Sequence, residues 1–212
     1  MDTSAPLLGE PVPIELMNTL WADREGTHDA LSDRSELRGW LHALAPRLAA
    51  ESAADLGAEP TARQLQEFRT LRDALRRLAA TATDDPRPAA ASPTVRLDAA
   101  VAAVNTACAR SPQWSHLRWA DGGTPVRTAL SAQPPATAAL ATIAEQAVRL
   151  FAGPDRDNLR ACEAPGCVLY FLRDHPRRAW CSAGCGNRAR VARHYRRHHG
   201  DASTPEQGDS PT

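Results

Sequence analysis

Four cysteines crowded into 24 residues constrain this chain more than any other feature. Cys162, Cys167, Cys181 and Cys185 follow the pattern C-x4-C-x13-C-x3-C. Two short-spaced pairs, each on a tight turn, supply the four soft donors that a tetrahedral zinc ion needs. Pro165-Gly166 before Cys167 and Gly184 before Cys185 suit such turns. Four thiolates leave no open position for water, so one structural Zn2+ is expected and a catalytic one is not. Two disulfides are the competing arrangement. Against them, the chain opens without a basic segment leading into an apolar one, which points to the cytoplasm, where thiols stay reduced. His175 falls in the turn expected between the pairs and is not expected to ligate. A module this small buries little apolar surface, so the ion is expected to supply its folding free energy, on the order of 10 kcal/mol. The fifth cysteine, Cys108, has apolar neighbours at helical spacing and reads as a core residue.

Between the cysteine pairs, VLYFLRDHPRRAW reads as a hairpin, with Val168 to Arg173 as one strand, a turn at 174–176 and Arg177 to Trp180 returning. After Cys185 the run GNRARVARHYRRHH reads as a helix, with Gly186 and Asn187 as its turn and cap. At about 100° per residue, Arg190, Arg193, His194, Arg196 and Arg197 share one broad face. Val191, Ala192 and Tyr195 take the other and are expected to pack near Trp180 and Leu169 or Phe171. Arg188 projects on the apolar side, so its expected role is structural, bonding backbone carbonyls or a carboxylate. Arg177 and Arg178 add to the basic set.

The whole chain balances 25 basic against 25 acidic residues, and every basic residue is Arg. The balance hides an arrangement. Residues 155–200 hold ten Arg against four acidic residues, residues 1–154 fifteen against eighteen, and residues 201–212 three acidic residues alone. Four thiolates on one Zn2+ add about −2, leaving roughly +4 on the folded module. A one-signed helix beside a zinc core suits the major groove, with Arg pairing to phosphate or guanine. DNA is therefore the expected partner and RNA the alternative. A zinc-stabilised adaptor for another protein is the third reading.

Upstream, the fold class expected is mainly α with a small hairpin. Aromatic residues are 5% of the chain, and Ala, Leu and Arg are abundant, which favours helices over a β-sandwich. Residues 1–12 are Pro-rich and read as a flexible N-terminus. Helical patterning runs from Ile14 to about Ala50, broken near Gly26 and strained at Pro46. The strongest helix lies between Pro60 and Ala80, where Leu65, Phe68, Leu71, Leu75 and Leu78 recur at steps of three and four. Residues 81–94 read as a loop. The next helix sets Leu97, Val101, Val104 and Cys108 on one face. WSHLRWADGGTPVRTALS reads as a hairpin turning at 121–123, and a last helix reaches Ala152 before Gly153-Pro154. No stretch of 18 apolar residues would span a membrane. No phosphate-binding glycine loop, H-E-x-x-H or G-x-S-x-G is present, so an enzyme is not expected. A pocket for a small-molecule or protein effector is expected in this domain, near Asn18, Trp40 or Asn105.

The string Cys185-Gly186-Asn187-Arg188, with the other three cysteines, the CVLYFLRD segment, Trp180 and the basic continuation, resembles the CGNR zinc-finger family over about residues 158–198. Asn18-Thr19, the helix RQLQEFRTLRDALRRLAA, the hairpin and the helix leading into the finger resemble the ABATE domain that precedes such fingers. The resemblance implies an ABATE-like helical domain over 13–153, a CGNR-type finger over 155–200 and a disordered acidic tail over 201–212. It also implies a DNA-binding transcriptional regulator with a sensor domain. One finger has a small footprint, so specific binding calls for a homodimer or an extra contact.

Overall fold

The computed structural model describes residues 6–48 and 58–199. Helix α1 (Val12–Met17) is buried along its whole length and ends at Asn18. Strands β1 (Leu20–Ala22) and β2 (Thr27–Asp29) form an antiparallel hairpin with Trp21 opposite His28. Gly26 closes its turn at φ +135°, a conformation open chiefly to glycine. Helix α2 (Arg34–Leu44) starts where the Asp33 carboxylate accepts the Glu36 N–H at 2.9 Å. The break expected near Gly26 in the helical patterning from Ile14 to Ala50 is thus a hairpin. Strands of three residues are too short to show alternation, and the stacked Trp21 and His28 rings, 4.3 Å apart, help hold them.

Helix α3 (Ala62–Ala82) is the central element. Thr61 and Gln64 form a reciprocal capping box at its start. Its stripe of Leu65, Phe68, Leu71 and Leu75 meets α1, α4 (Leu97–Ala109) and α5 (Pro135–Ala152). On α4 the buried residues are Ala100, Val104 and Ala107, whereas Leu97 and Val101 face solvent and Cys108 is half-buried. The apolar stripe read from the sequence is therefore rotated. Small alanines let α4 approach α3 and α5 closely, and this outweighs the pull of the larger side chains. The hairpin of β3 (Gln113–Arg118) and β4 (Val126–Ser131) forms as read, with Gly122 in its turn at φ +74°. Gly153 ends α5 for a different reason. A Cβ there would meet the Arg149 carbonyl oxygen at 2.5 Å, and its φ is an ordinary −98°.

The remaining strands correct the hairpin expected between the cysteine pairs. Strand β6 (Tyr170–Leu172) pairs with β5 (Leu159–Ala161), which precedes Cys162. The first cysteine pair therefore sits in the loop of this hairpin. Residues 177–180 form no strand; they turn back toward Cys181. Helix α6 (Ala183–His199) follows. It begins before Cys185, so Gly186 and Asn187 lie inside it and do not cap it. The Ser182 hydroxyl takes the Cys185 N–H at 3.2 Å instead.

Body and finger share an interior. Leu159 and Tyr170 belong to the same apolar cluster as α1, α3 and α5. The Asn18 carboxamide serves the open edge of β6, donating to the Tyr170 carbonyl and accepting its N–H, both at 2.9 Å. Of the first 12 residues, expected to be loose, Glu10 is 2% exposed and accepts the Leu172 N–H at 2.9 Å. The tail 201–212 lies outside the described residues.

Candidate metal centre and basic helix

The four cysteine sulfurs lie within 4.8 Å of one another, and all four residues are buried. Cys167 and Cys181 sulfurs are 3.8 Å apart, and those of Cys181 and Cys185 3.4 Å. A tetrahedral ion with Zn–S bonds of about 2.3 Å requires sulfur separations of about 3.8 Å. A disulfide requires about 2.05 Å, and all the cysteines are free. The first turn is set by the Cys167 N–H bonding the Ala164 carbonyl at 2.9 Å, with Gly166 at φ +72° between them. The second comes from the first turn of α6, which places Cys181 and Cys185 side by side.

Sulfurs this close cannot all ionise without a cation. Hydrogen bonds from the Cys167 and Cys181 thiols drive Cys162 far down, and the same bonds push Cys167 and Cys181 up. A dication removes that conflict because coordinating thiols are deprotonated outright. The donor set therefore fits one structural zinc ion.

Three guanidinium groups surround the cluster, each bound to a ligand residue. The Arg188 Nη2 donates to the Cys185 sulfur at 3.0 Å. Arg188 is thus structural, with a sulfur in place of the carbonyl or carboxylate expected. The Arg87 Nη1 donates to the carbonyls of Cys162 and Cys167 at 2.7 and 2.9 Å. Arg178 donates to the Cys181 carbonyl at 3.2 Å and pairs with the buried Glu10. Four thiolates around Zn2+ carry about −2. Arg87 and Arg178 also pair with carboxylates, so Arg188 is the cation that offsets part of that charge directly. Burial pushes the Glu10 carboxyl up, against the bonds it accepts from Leu172 and Arg178.

Arg87 and Arg76 extend this shell into the body. Both guanidinium groups lie over the Tyr170 ring, with their carbons 5.3 and 5.4 Å from its centroid. Arg76 is fully buried and donates to the carbonyls of Met17, Ala90 and Val168 at 3.0, 3.1 and 3.2 Å. Burial lowers its pKa. The Tyr170 hydroxyl donates to Asp85 at 2.7 Å, and burial first, then that bond, pushes its pKa up to about 12. The Asp85 carboxylate also accepts from Arg87. Sequence reading missed Arg76, Asp85, Arg87, Tyr170 and Glu10. One signal was available: Arg72 and Arg76 continue the apolar stripe of α3, where a cation needs a buried partner.

The basic residues divide. Arg190, Arg193, His194, Arg196 and Arg197 are all exposed on α6. Among the described residues, none of the four arginines has a carboxylate within ion-pair distance. Arg196 also lines a groove shared with Val191 and Tyr195, at the margin of that face. Val191 and Tyr195 are 61% and 62% exposed and do not pack on the finger as expected. Helix α6 instead meets the finger through Cys185, Gly186 and Ala189, all buried. A Cβ on Gly186 would lie 2.9 Å from the Trp180 ring, which explains a glycine inside the helix. Arg177 is exposed, whereas Arg178 is held by Glu10, Leu172 and Cys181 and is not available to a polyanion.

Asn18, Trp40 and Asn105, expected near a pocket, stand in three different environments. Asn18 is consumed by β6, Trp40 is a core residue edge-on to Phe68, and Asn105 lies on the solvent face of α4. Among the described residues no helix is long and apolar enough to cross a membrane.

Comparison with protein families places both halves. The ABATE family, described as a putative stress-induced transcription regulator, matches residues 10–154, and the CGNR zinc finger matches residues 158–198. No curated protein matches the chain. The first match covers the helical body and the second the four-cysteine centre with most of its basic helix, and the chain belongs to the ABATE family, with a CGNR zinc finger at its C-terminal side.

Proposed function

We propose that the protein is a zinc-dependent, DNA-binding transcription regulator, a binding protein and not an enzyme. In this reading α6 enters the major groove, with Arg190, Arg193 and Arg197, joined by His194, facing the DNA. The observation that carries it is the division of α6. Its first turns are fixed by Cys185, Gly186 and Ala189, while its second half projects with arginines that meet no carboxylate among the described residues. A rigidly anchored helix with an uncompensated cationic edge loses little freedom on binding phosphate, and Arg suits both phosphate and guanine. Arg188, which pairs with no carboxylate among the described residues, offsets part of the sulfur cluster's charge beside that edge.

Binding to duplex DNA should weaken steeply with salt, because each phosphate contact releases counterions. Arg193→Ala with Arg197→Ala should weaken binding at low salt and reduce the slope of log affinity against log salt by about 2. Zinc content should be unchanged. Zinc-loaded protein that retains no genomic fragment at low salt refutes the reading.

A further inference from the structure

A groove of about 1120 Å³ lies between α6 and the tip of the β1–β2 hairpin. Val191, Tyr195 and Arg196 wall it on the helix, and Asp23, Arg24 and Glu25 wall it on the hairpin. The tip is held in place. Trp21 and Ala22 pack on the apolar cluster that contains the four cysteines, and the Asp23 carboxylate accepts the N–H groups of Glu25 and Gly26 at 2.8 and 3.2 Å. The same carboxylate pairs with His28 at 2.8 Å, so its charge is engaged. Arg188 also lines the groove, with its Nη2 on the Cys185 sulfur. Arg24 and Arg196 are different. Both are exposed, they stand on opposite walls, and among the described residues neither has a carboxylate within ion-pair distance. Glu25 is the one unpaired carboxylate among the lining residues.

Free guanidinium groups on two facing walls, open to solvent, suit a phosphodiester chain, which Arg binds bidentately. The groove also continues the edge proposed to face DNA, since Arg196 lies about 60° around α6 from Arg193. We infer that, when α6 lies in the major groove, the sugar–phosphate backbone of one strand runs through this groove, clamped between Arg196 on the helix and Arg24 on the hairpin tip. The inference rests on the DNA-binding reading of α6 and adds the helical body to the interface. The charge of the body taken whole gives no hint of this, because its eighteen acidic residues outnumber its fifteen arginines. The clamp is the extra contact that the small footprint of one finger calls for. Glu25 opposes it, because its carboxylate faces the same phosphates. The hairpin tip therefore carries one residue that strengthens binding and one that weakens it.

The test is the affinity of full-length, zinc-loaded protein for a mixed-sequence DNA duplex, followed against salt. Arg24→Ala should reduce the slope of log affinity against log salt by about 1, so that the loss of affinity between roughly 50 and 200 mM salt is about 3-fold smaller than in the wild type. Arg24→Lys keeps the charge and should keep the slope. Glu25→Gln should act in the opposite direction and tighten binding at low salt by about 2-fold. Zinc content serves as the check on folding of each variant. A wild-type chain that binds no duplex overturns this inference together with the reading on which it rests. A slope that falls with Arg193→Ala and Arg197→Ala but not with Arg24→Ala overturns this inference alone. So does a Glu25→Gln variant whose binding is unchanged or weaker.

Discussion

Among the described residues one apolar cluster buries 27 residues, all but Leu159 and Tyr170 in the helical body, running from Val12 through the stripe of α3 to Leu150 on α5. The cluster at the metal centre is nine residues, all but Ala90 from the finger, and four of them are the cysteines. The body is held by apolar area, at about 25 cal/mol per Å² removed from water. The finger has too little such area, and metal ligation and arginine-to-carbonyl bonds take its place. The difference teaches where each part is vulnerable. The body is expected to withstand loss of the metal, and the finger is not. They are nevertheless joined, because Tyr170 belongs to the larger cluster and Arg87 holds the carbonyls of two ligands.

The strongest way to separate the two is to remove a ligand. Cys181→Ser should abolish stoichiometric zinc, measured by plasma emission, and with it a folding contribution on the order of 10 kcal/mol. Hydrogen exchange should then show α6 unprotected while α3 and α5 stay protected. Phe68→Ala is the converse. It should cost the body about 3–5 kcal/mol in denaturant unfolding through a core cavity, with one zinc still bound under native conditions. Arg87→Ala tests the junction. It leaves Asp85 without its partner and two ligand carbonyls without a donor, for a cost of about 3 kcal/mol, and should weaken zinc retention against a chelator as well. Its acid behaviour carries a definite sign. Burial raises the Asp85 carboxyl, but bonds from Arg87 and Tyr170 outweigh burial and hold it below its ordinary 3.8. Its stabilising share is therefore complete above that pH and lost as pH falls toward the lowered value. In Arg87→Ala this part of the acid limb should shrink, which a urea titration at several pH values would read.

Much of this was legible in the chain itself. The cysteine spacing located the metal centre, and the step of three and four residues located α3 and its buried face. The β3–β4 hairpin followed from Asp121-Gly122-Gly123 between two short runs. What escaped was set by contacts distant in sequence. Strand β5 is three residues long and pairs across the first cysteine turn, so no local pattern distinguished it from the adjacent run that looked like a return strand. Asn18 looked like a pocket residue because a polar side chain amid apolar ones invites a ligand; its partner is the backbone of Tyr170, 152 residues away. Val191 and Tyr195 looked like core residues because helical spacing reports a face and is silent on what that face meets. Arg178 read as a free cation because nothing nearby in sequence announced Glu10.

The arginine shell around the ligands bears on how such a chain can be cut and recombined. A finger that borrows hydrogen-bond donors from Arg76 and Arg87, an edge partner from Asn18 and a carboxylate from Glu10 is not a transferable cassette. Excised at residue 155 or grafted behind another body, it would keep its four thiolates and lose the scaffold that aims α6. Domain exchange in this architecture must therefore carry both halves together. Any change at Tyr170 or Arg178 must likewise be matched across the seam.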